Sequence, residues 1–203
     1  MVIMINAIKA FDISVEQFFD INRTYALTKF FSWLTDLGDA RIIAILCISM
    51  AIVLMRHHRS AYVVGLFVSI TGSVLFSYAL KLAVARGRPL PPFAAIDEPG
   101  YSFPSLHAAS AIAMYGFLAF MIWKLLNPPH HRLPWVVFIG VLIALIGFSR
   151  LYLGVHYPSD VAAGYAIGAF FVWLGTLVTI RLERQTKDSV WRSNARIPSS
   201  KSH

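Results

Sequence analysis

Three short stretches of this chain hold residues of the types and spacings that phosphoryl chemistry uses. The first is Ser149-Arg-Leu-Tyr-Leu-Gly-Val-His156-Tyr-Pro-Ser-Asp160, set between two apolar runs. Charged residues at the edge of hydrocarbon are costly, so their presence there calls for a reason. Pro158 suits the first position of a helix, which puts His156 just outside the helix and Asp160 in its first turn. From there the carboxylate can reach one imidazole nitrogen, fix the tautomer and leave the other nitrogen free as nucleophile or base. A salt-bridged cap between two membrane helices explains the same residues equally well when this stretch is taken alone.

The second stretch runs from Lys81 to Arg88-Pro89. Lys81 and Arg88 are seven residues apart, two helical turns, and can share a face, with Gly87 and Pro89 ending the helix. Snorkelling at a membrane edge accounts well for Arg86, and less well for the more deeply placed Lys81. The third is Phe103-Pro-Ser-Leu-His107. Pro104 and Ser105 open a helix whose first amides and dipole form an anion site, with His107 in the first turn. A capping serine followed by a packed histidine is the simpler account of Ser105 itself.

The elements that position these residues follow from composition. The 203-residue chain is 57% hydrophobic and 14% charged, with mean hydropathy +0.63. So few charges at this length indicate a helical membrane bundle. The net charge of +8 sits largely in short loops and a basic tail, which suits anionic lipid headgroups and excludes a nucleic-acid partner from the reading. Cys47 is the single cysteine, so no intrachain disulfide can form. The apolar first residues lack the basic region and cleavage site of a signal peptide.

Residues 1–38 interleave Phe11, Ile13, Phe18 and Ile21 with Asp12, Glu16, Asp20 and Arg23, the pattern of amphipathic helices at a membrane surface. Phe30 to Leu34 either dips into the interface or packs on the bundle. Five apolar runs follow, at about 39–55, 60–85, 105–126, 134–152 and 159–181. The expected fold is therefore all-α. It is a polytopic transmembrane bundle with five spans and a surface segment, or six spans, comprising a domain over 39–186 and a disordered basic tail over 187–203. Gly65, Ser69, Gly72, Ser73 and Ser77 recur at spacings suited to close helix packing.

Arg56, Arg59, Lys124, Arg132 and the basic tail fall on one side if each run crosses once, and that side is expected to be cytoplasmic. The three stretches then meet at the opposite, extracytoplasmic rim. Together they supply cations, a helix N-terminus and two histidines, one oriented by a carboxylate, which suffices for phosphoryl transfer.

The pattern resembles the type 2 phosphatidic acid phosphatase family, membrane relatives of the vanadate-dependent haloperoxidases. Its signatures Lys-x6-Arg-Pro, Pro-Ser-Gly-His and Ser-Arg-x5-His-x3-Asp stand here as Lys81 to Pro89, Pro104 to His107 and Ser149 to Asp160. The second departs from the family, with Leu106 in place of glycine. The resemblance implies a haloperoxidase-like helical core in which His156 attacks phosphorus, Asp160 orients it and His107 protonates the leaving oxygen. Lys81, Arg88, Arg150, Ser105 and the backbone of Leu106 would hold the phosphate. No metal or cofactor is implied. The His57-His58 and His130-His131 pairs lack the carboxylate or cysteine partners of a metal site.

The expected activity is removal of a terminal phosphate from a lipid phosphate or pyrophosphate, such as undecaprenyl pyrophosphate, phosphatidylglycerol phosphate or phosphatidic acid. It would take place on the outer face of a bacterial inner membrane. The competing readings are a lipid phosphotransferase working through the same phosphohistidine, and a non-catalytic lipid-binding or transport protein.

Overall fold

The computed structural model describes residues 2–89 and 93–195. Seven helices follow one another: α1 (Val2–Asn22), α2 (Tyr25–Thr35), α3 (Ala40–Arg56), α4 (Ser60–Val84), α5 (Leu106–Leu125), α6 (Arg132–Tyr152) and α7 (Pro158–Ala195). A 3₁₀ turn (Asp36–Gly38) joins α2 to α3, and α5 contains a π-helical turn at Ile112–Gly116. The chain is an integral membrane protein. Spans Ser60–Val84, Leu106–Leu125, Pro129–Tyr152 and Pro158–Asp188 have windows of mean hydropathy 1.6 to 2.0. A fifth crossing is available if Tyr25–Gly38 and Ala40–Arg56, bent by 45°, act as one broken span. Part of the segment expected to lie on the surface therefore lengthens a run that is marginal alone. Asp39 makes the bend by capping α3, its Oδ1 accepting the Arg41 N–H at 2.9 Å.

The small residues of α4 set the packing. The Ser69 hydroxyl donates to the Ala113 carbonyl at 2.9 Å and Ser73 to the Ala109 carbonyl at 3.3 Å, tying α4 to α5. On the α7 side a Cβ at Gly65 would meet the Gly175 carbonyl at 2.6 Å, so the two backbones are in contact. Large apolar side chains such as Ile48, Leu75, Phe76 and Phe138 are exposed and form the belt that meets lipid.

The N-terminal helices dock on one end of this bundle. Phe19 of α1 and Phe31 of α2 pack edge-on or tilted against Phe148 and Tyr152 of α6, with centroids 4.7–5.6 Å apart. Phe30 and Trp33 point outward, so the Phe30–Leu34 stretch both packs and remains exposed. At the other extreme α7 is helical to Ala195, where the sequence suggested a disordered tail from 187. No glycine or proline interrupts it between Gly175 and Pro198. Residues 196–203 of that tail lie outside the described residues.

Candidate active site

The ends of α4 and α6 and the starts of α5 and α7 come together, as the placement of the three stretches predicted. Direct bonds join them. The Ser105 N–H donates to the Asp160 carbonyl at 3.0 Å, linking the first residues of α5 and α7. A Cβ at Gly164 would meet the Ser105 carbonyl at 2.5 Å, so only glycine lets α7 come this close.

His156 lies in the loop before α7, 3% exposed, and Asp160 in the first turn is fully buried. Asp160 Oδ2 is 3.5 Å from His156 Nδ1 and accepts the Tyr157 N–H at 2.9 Å. A shift of a few tenths of an ångström turns the first contact into a hydrogen bond. On the other face of the ring, Arg88 Nη1 sits 3.1 Å from His156 Nε2. A guanidinium only donates, so Nε2 carries the lone pair and Nδ1 the proton, directed at the carboxylate. Burial, then the positive charges of Arg150 and Arg88, hold His156 well below the ordinary histidine pKa.

Arg88 and Lys81 reach the same cavity, but not from one helix face. The helix ends at Val84, and Ala85 takes a left-handed φ of 47°. That reversal, two residues before Gly87, swings Arg88 back over the site. Lys81 Nζ donates to the Tyr101 carbonyl at 2.5 Å and is buried. Arg150 is 1% exposed; its Nη1 donates to Thr35 Oγ1 at 2.8 Å. Ser105 caps α5, its Oγ accepting the Ala108 N–H at 3.4 Å. Leu106 is then the first helical residue, whose N–H has no partner within the helix. Its φ is not positive, so leucine occupies the family's glycine position without backbone strain. His107 lines a cavity of about 670 Å³ together with Lys81, Arg88, Glu98 and His156.

Two features were not read from the sequence. Arg86 does not snorkel: its Nη1 donates to Asp160 Oδ1 and its Nη2 to Asp12 Oδ2, each at 2.8 Å. The buried carboxylates at this rim outweigh the pull of solvent on the guanidinium. Glu98, in the loop before α5, is gripped by two of the arginines expected to hold phosphate, Arg88 and Arg150. Arg88 Nη2 meets its Oε1 at 3.0 Å, and Arg150 Nη2 pairs with Oε2. Two guanidiniums thus surround one carboxylate, and one of them, Arg88, also reaches His156 Nε2. The signal for Glu98 was only that an acid stood in a loop flanked by basic stretches.

Glu98→Gln is expected to tighten the binding of inorganic phosphate about tenfold, because the neutral amide competes less for the two arginines. Calorimetric titration of the purified protein measures this. Equal affinity in the variant would mean that Glu98 and the anion do not share a place.

Residues 62–184 match the family model described as the PAP2 superfamily. Over 103 residues the chain is 35% identical to phosphatidylglycerophosphatase B of Bacillus subtilis, covering 49% of each protein. It is 38% identical over 128 residues to decaprenylphosphoryl-5-phosphoribose phosphatase of Mycobacterium tuberculosis, covering 62% of this chain and 64% of that one. The aligned regions thus span about half to two thirds of these curated relatives. The fold superposes on the crystal structure of a transmembrane PAP2-type phosphatidylglycerolphosphate phosphatase from Bacillus subtilis with a TM-score of 0.78. Sequence identity there is 26%, with 84% of this chain and 85% of the other covered.

Proposed function

The chain belongs to the PAP2 superfamily, and from that premise we propose that it is a lipid phosphatase that cleaves a terminal phosphate through a phosphohistidine. The site opens to the extracytoplasmic side of a bacterial inner membrane. The observation that carries the reading is the make-up of the cavity. Lys81, Arg88, His107 and His156 line it, and so do Ile43, Ala44, Ile70, Val74 and Leu75 of α3 and α4. A molecule carrying both an anion and an apolar tail suits such a mixed lining.

In the first step His156 Nε2 attacks phosphorus in line. The P–O bond to the lipid breaks, and His107 gives its proton to the departing oxygen. Asp160 balances the charge that grows on the imidazole. Arg88, Arg150 and Lys81 stabilise the equatorial oxygens, helped by Ser105 and the backbone N–H groups of Leu106 and His107. In the second step His107 takes a proton from water, which attacks the phosphohistidine and frees inorganic phosphate and His156.

Arg59, which pairs with Glu183 at 3.9 Å, marks the opposite end of the bundle. Arg56, Arg59, Lys124 and Arg132 belong to that end and favour a cytoplasmic placement for it. The names of the relatives suggest phosphatidylglycerol phosphate and polyprenyl phosphates or pyrophosphates as first substrates to try.

The test is phosphate release by the purified protein in mixed micelles. Lipid phosphates and pyrophosphates are compared with short-chain and water-soluble analogues. Long-chain substrates are expected to have kcat/KM at least about tenfold higher, since each methylene buried in the groove contributes up to about 0.8 kcal/mol. Equal rates on soluble analogues would remove the lipid from the proposal. Phosphate appearing on an added alcohol, and not in solution, would identify a phosphotransferase instead.

A further inference from the structure

We propose that Asp12 of α1 is a positioning residue of the reaction: by holding Arg86, it keeps Asp160 free to orient His156. The inference rests on the phosphohistidine reading above. Helix α1 is turned inside out for a helix packed on a protein. Phe11, Ile13, Phe18 and Ile21 are 49–82% exposed, whereas Asp12 is 1% and Glu16 9% exposed. An apolar face turned outward suits lipid, and the acidic face is spent on the site.

Asp12 makes three bonds there. Its Oδ1 accepts the Ser159 N–H at 3.0 Å, one of the unpaired amides of the first turn of α7. Its Oδ2 accepts the Ser159 hydroxyl at 2.6 Å and Arg86 Nη2 at 2.8 Å. The same guanidinium sends Nη1 to Asp160 Oδ1 and to Ser159 Oγ, and lies 4.0 Å over the Tyr157 ring.

Two carboxylates therefore divide one guanidinium, one terminal nitrogen each. The division has a chemical result. A free arginine fork takes a carboxylate by both oxygens. With Nη2 held by Asp12, Arg86 engages only Oδ1 of Asp160, and Oδ2 remains for His156 Nδ1. Without the Asp12 charge, the fork can close on both oxygens of Asp160 and withdraw the partner that fixes the imidazole. Asp12 does not line the cavity, so it acts on the chemical step and not on substrate binding.

The test compares wild type, Asp12→Asn, Asp12→Glu, Arg86→Ala and the double variant Asp12→Asn/Arg86→Ala as full-length protein in micelles. Asp12→Asn is expected to lower kcat by about 10- to 100-fold, the usual range for an outer partner of a reacting group, with KM unchanged. Asp12→Glu restores most of kcat. In the Arg86→Ala background, adding Asp12→Asn costs nothing further, because the two act in series. Asp12→Ser, smaller but still an acceptor, carries the same expectation if Asp12→Asn does not fold.

A second readout needs no substrate. Carbethoxylation of His156 by diethyl pyrocarbonate, followed by mass spectrometry, is expected to slow several-fold in Asp12→Asn. Full kcat in Asp12→Asn, or an equal loss in the Arg86→Ala background, overturns the inference. If wild type releases no phosphate from any lipid, the functional reading fails alone, and the carbethoxylation rates still decide the role of Asp12: unchanged rates overturn it.

Discussion

Replacing His156 with alanine is expected to lower turnover by about four orders of magnitude or more, close to 5 kcal/mol of lost transition-state stabilisation. The size follows from what else the site holds. Arg88, Arg150 and Lys81 remain to bind phosphate, so KM should change little, but among the described residues no other imidazole stands at the place of Nε2. His107 lines the same cavity but opens a different helix, and in the proposed reaction it is the proton donor for the opposite face. The measurement is single-turnover phosphate release from labelled lipid, with a rapid alkaline quench that preserves a phosphoramidate bond. Wild type should retain label on the protein and His156→Ala none. Normal turnover by the variant would dispose of covalent catalysis at this position.

Asp160→Asn is expected to be nearly as severe, with kcat lowered by about 10³- to 10⁴-fold. The asparagine keeps the shape, and its single oxygen can accept from either the Tyr157 N–H or Arg86, which bond different oxygens of Asp160. What it loses is the negative charge facing His156 Nδ1 across 3.5 Å. An amide there can present its NH2 to the ring and select the tautomer with its proton on Nε2, the atom that must attack. The carboxylate is also fully buried beside Arg86, so removing its charge weakens that contact, by about 1–3 kcal/mol, since Arg86 is partly exposed and keeps Asp12 as a partner. Thermal unfolding in detergent separates the two effects: a folded Asp160→Asn protein with near-normal KM and low kcat is the expected result. Full activity in that protein would reduce Asp160 to a helix cap.

Except at the C-terminal end of α7, expected near 181 and observed at Ala195, the boundaries of the apolar helices fall within a few residues of those expected, because a 20-residue crossing writes its length into the sequence. The meeting of four helix ends was also legible, since residues too polar for hydrocarbon occur at just those places. Local geometry was harder. Lys81 and Arg88 share the cavity, yet the helix they were expected to share stops early, at an alanine in the left-handed region that no turn residue announces. Arg86 read as a surface cation because its two carboxylates come from positions 12 and 160, and a partner 74 residues away leaves no mark on the neighbouring chain. Asp12 and Glu16 gave a helical spacing but no direction. An amphipathic pattern is the same whether its charged face meets water or a protein, and here Asp12 meets the protein. Glu98 was hidden for the opposite reason: it lies in an irregular loop, where spacing carries no geometric information.

The bond between Asp12 and Ser159 joins residues 147 apart. A ribosome adding roughly 5–20 residues per second needs about 7 to 30 s to make the second after the first. Arg86, which pairs with the same carboxylate, is made 74 residues after Asp12, about halfway through that interval. Two charges a single turn apart would be expensive in the bilayer interior, which favours the water boundary for the first helix until those partners are made. The first helix therefore gains its full set of partners only once the start of α7 has been made.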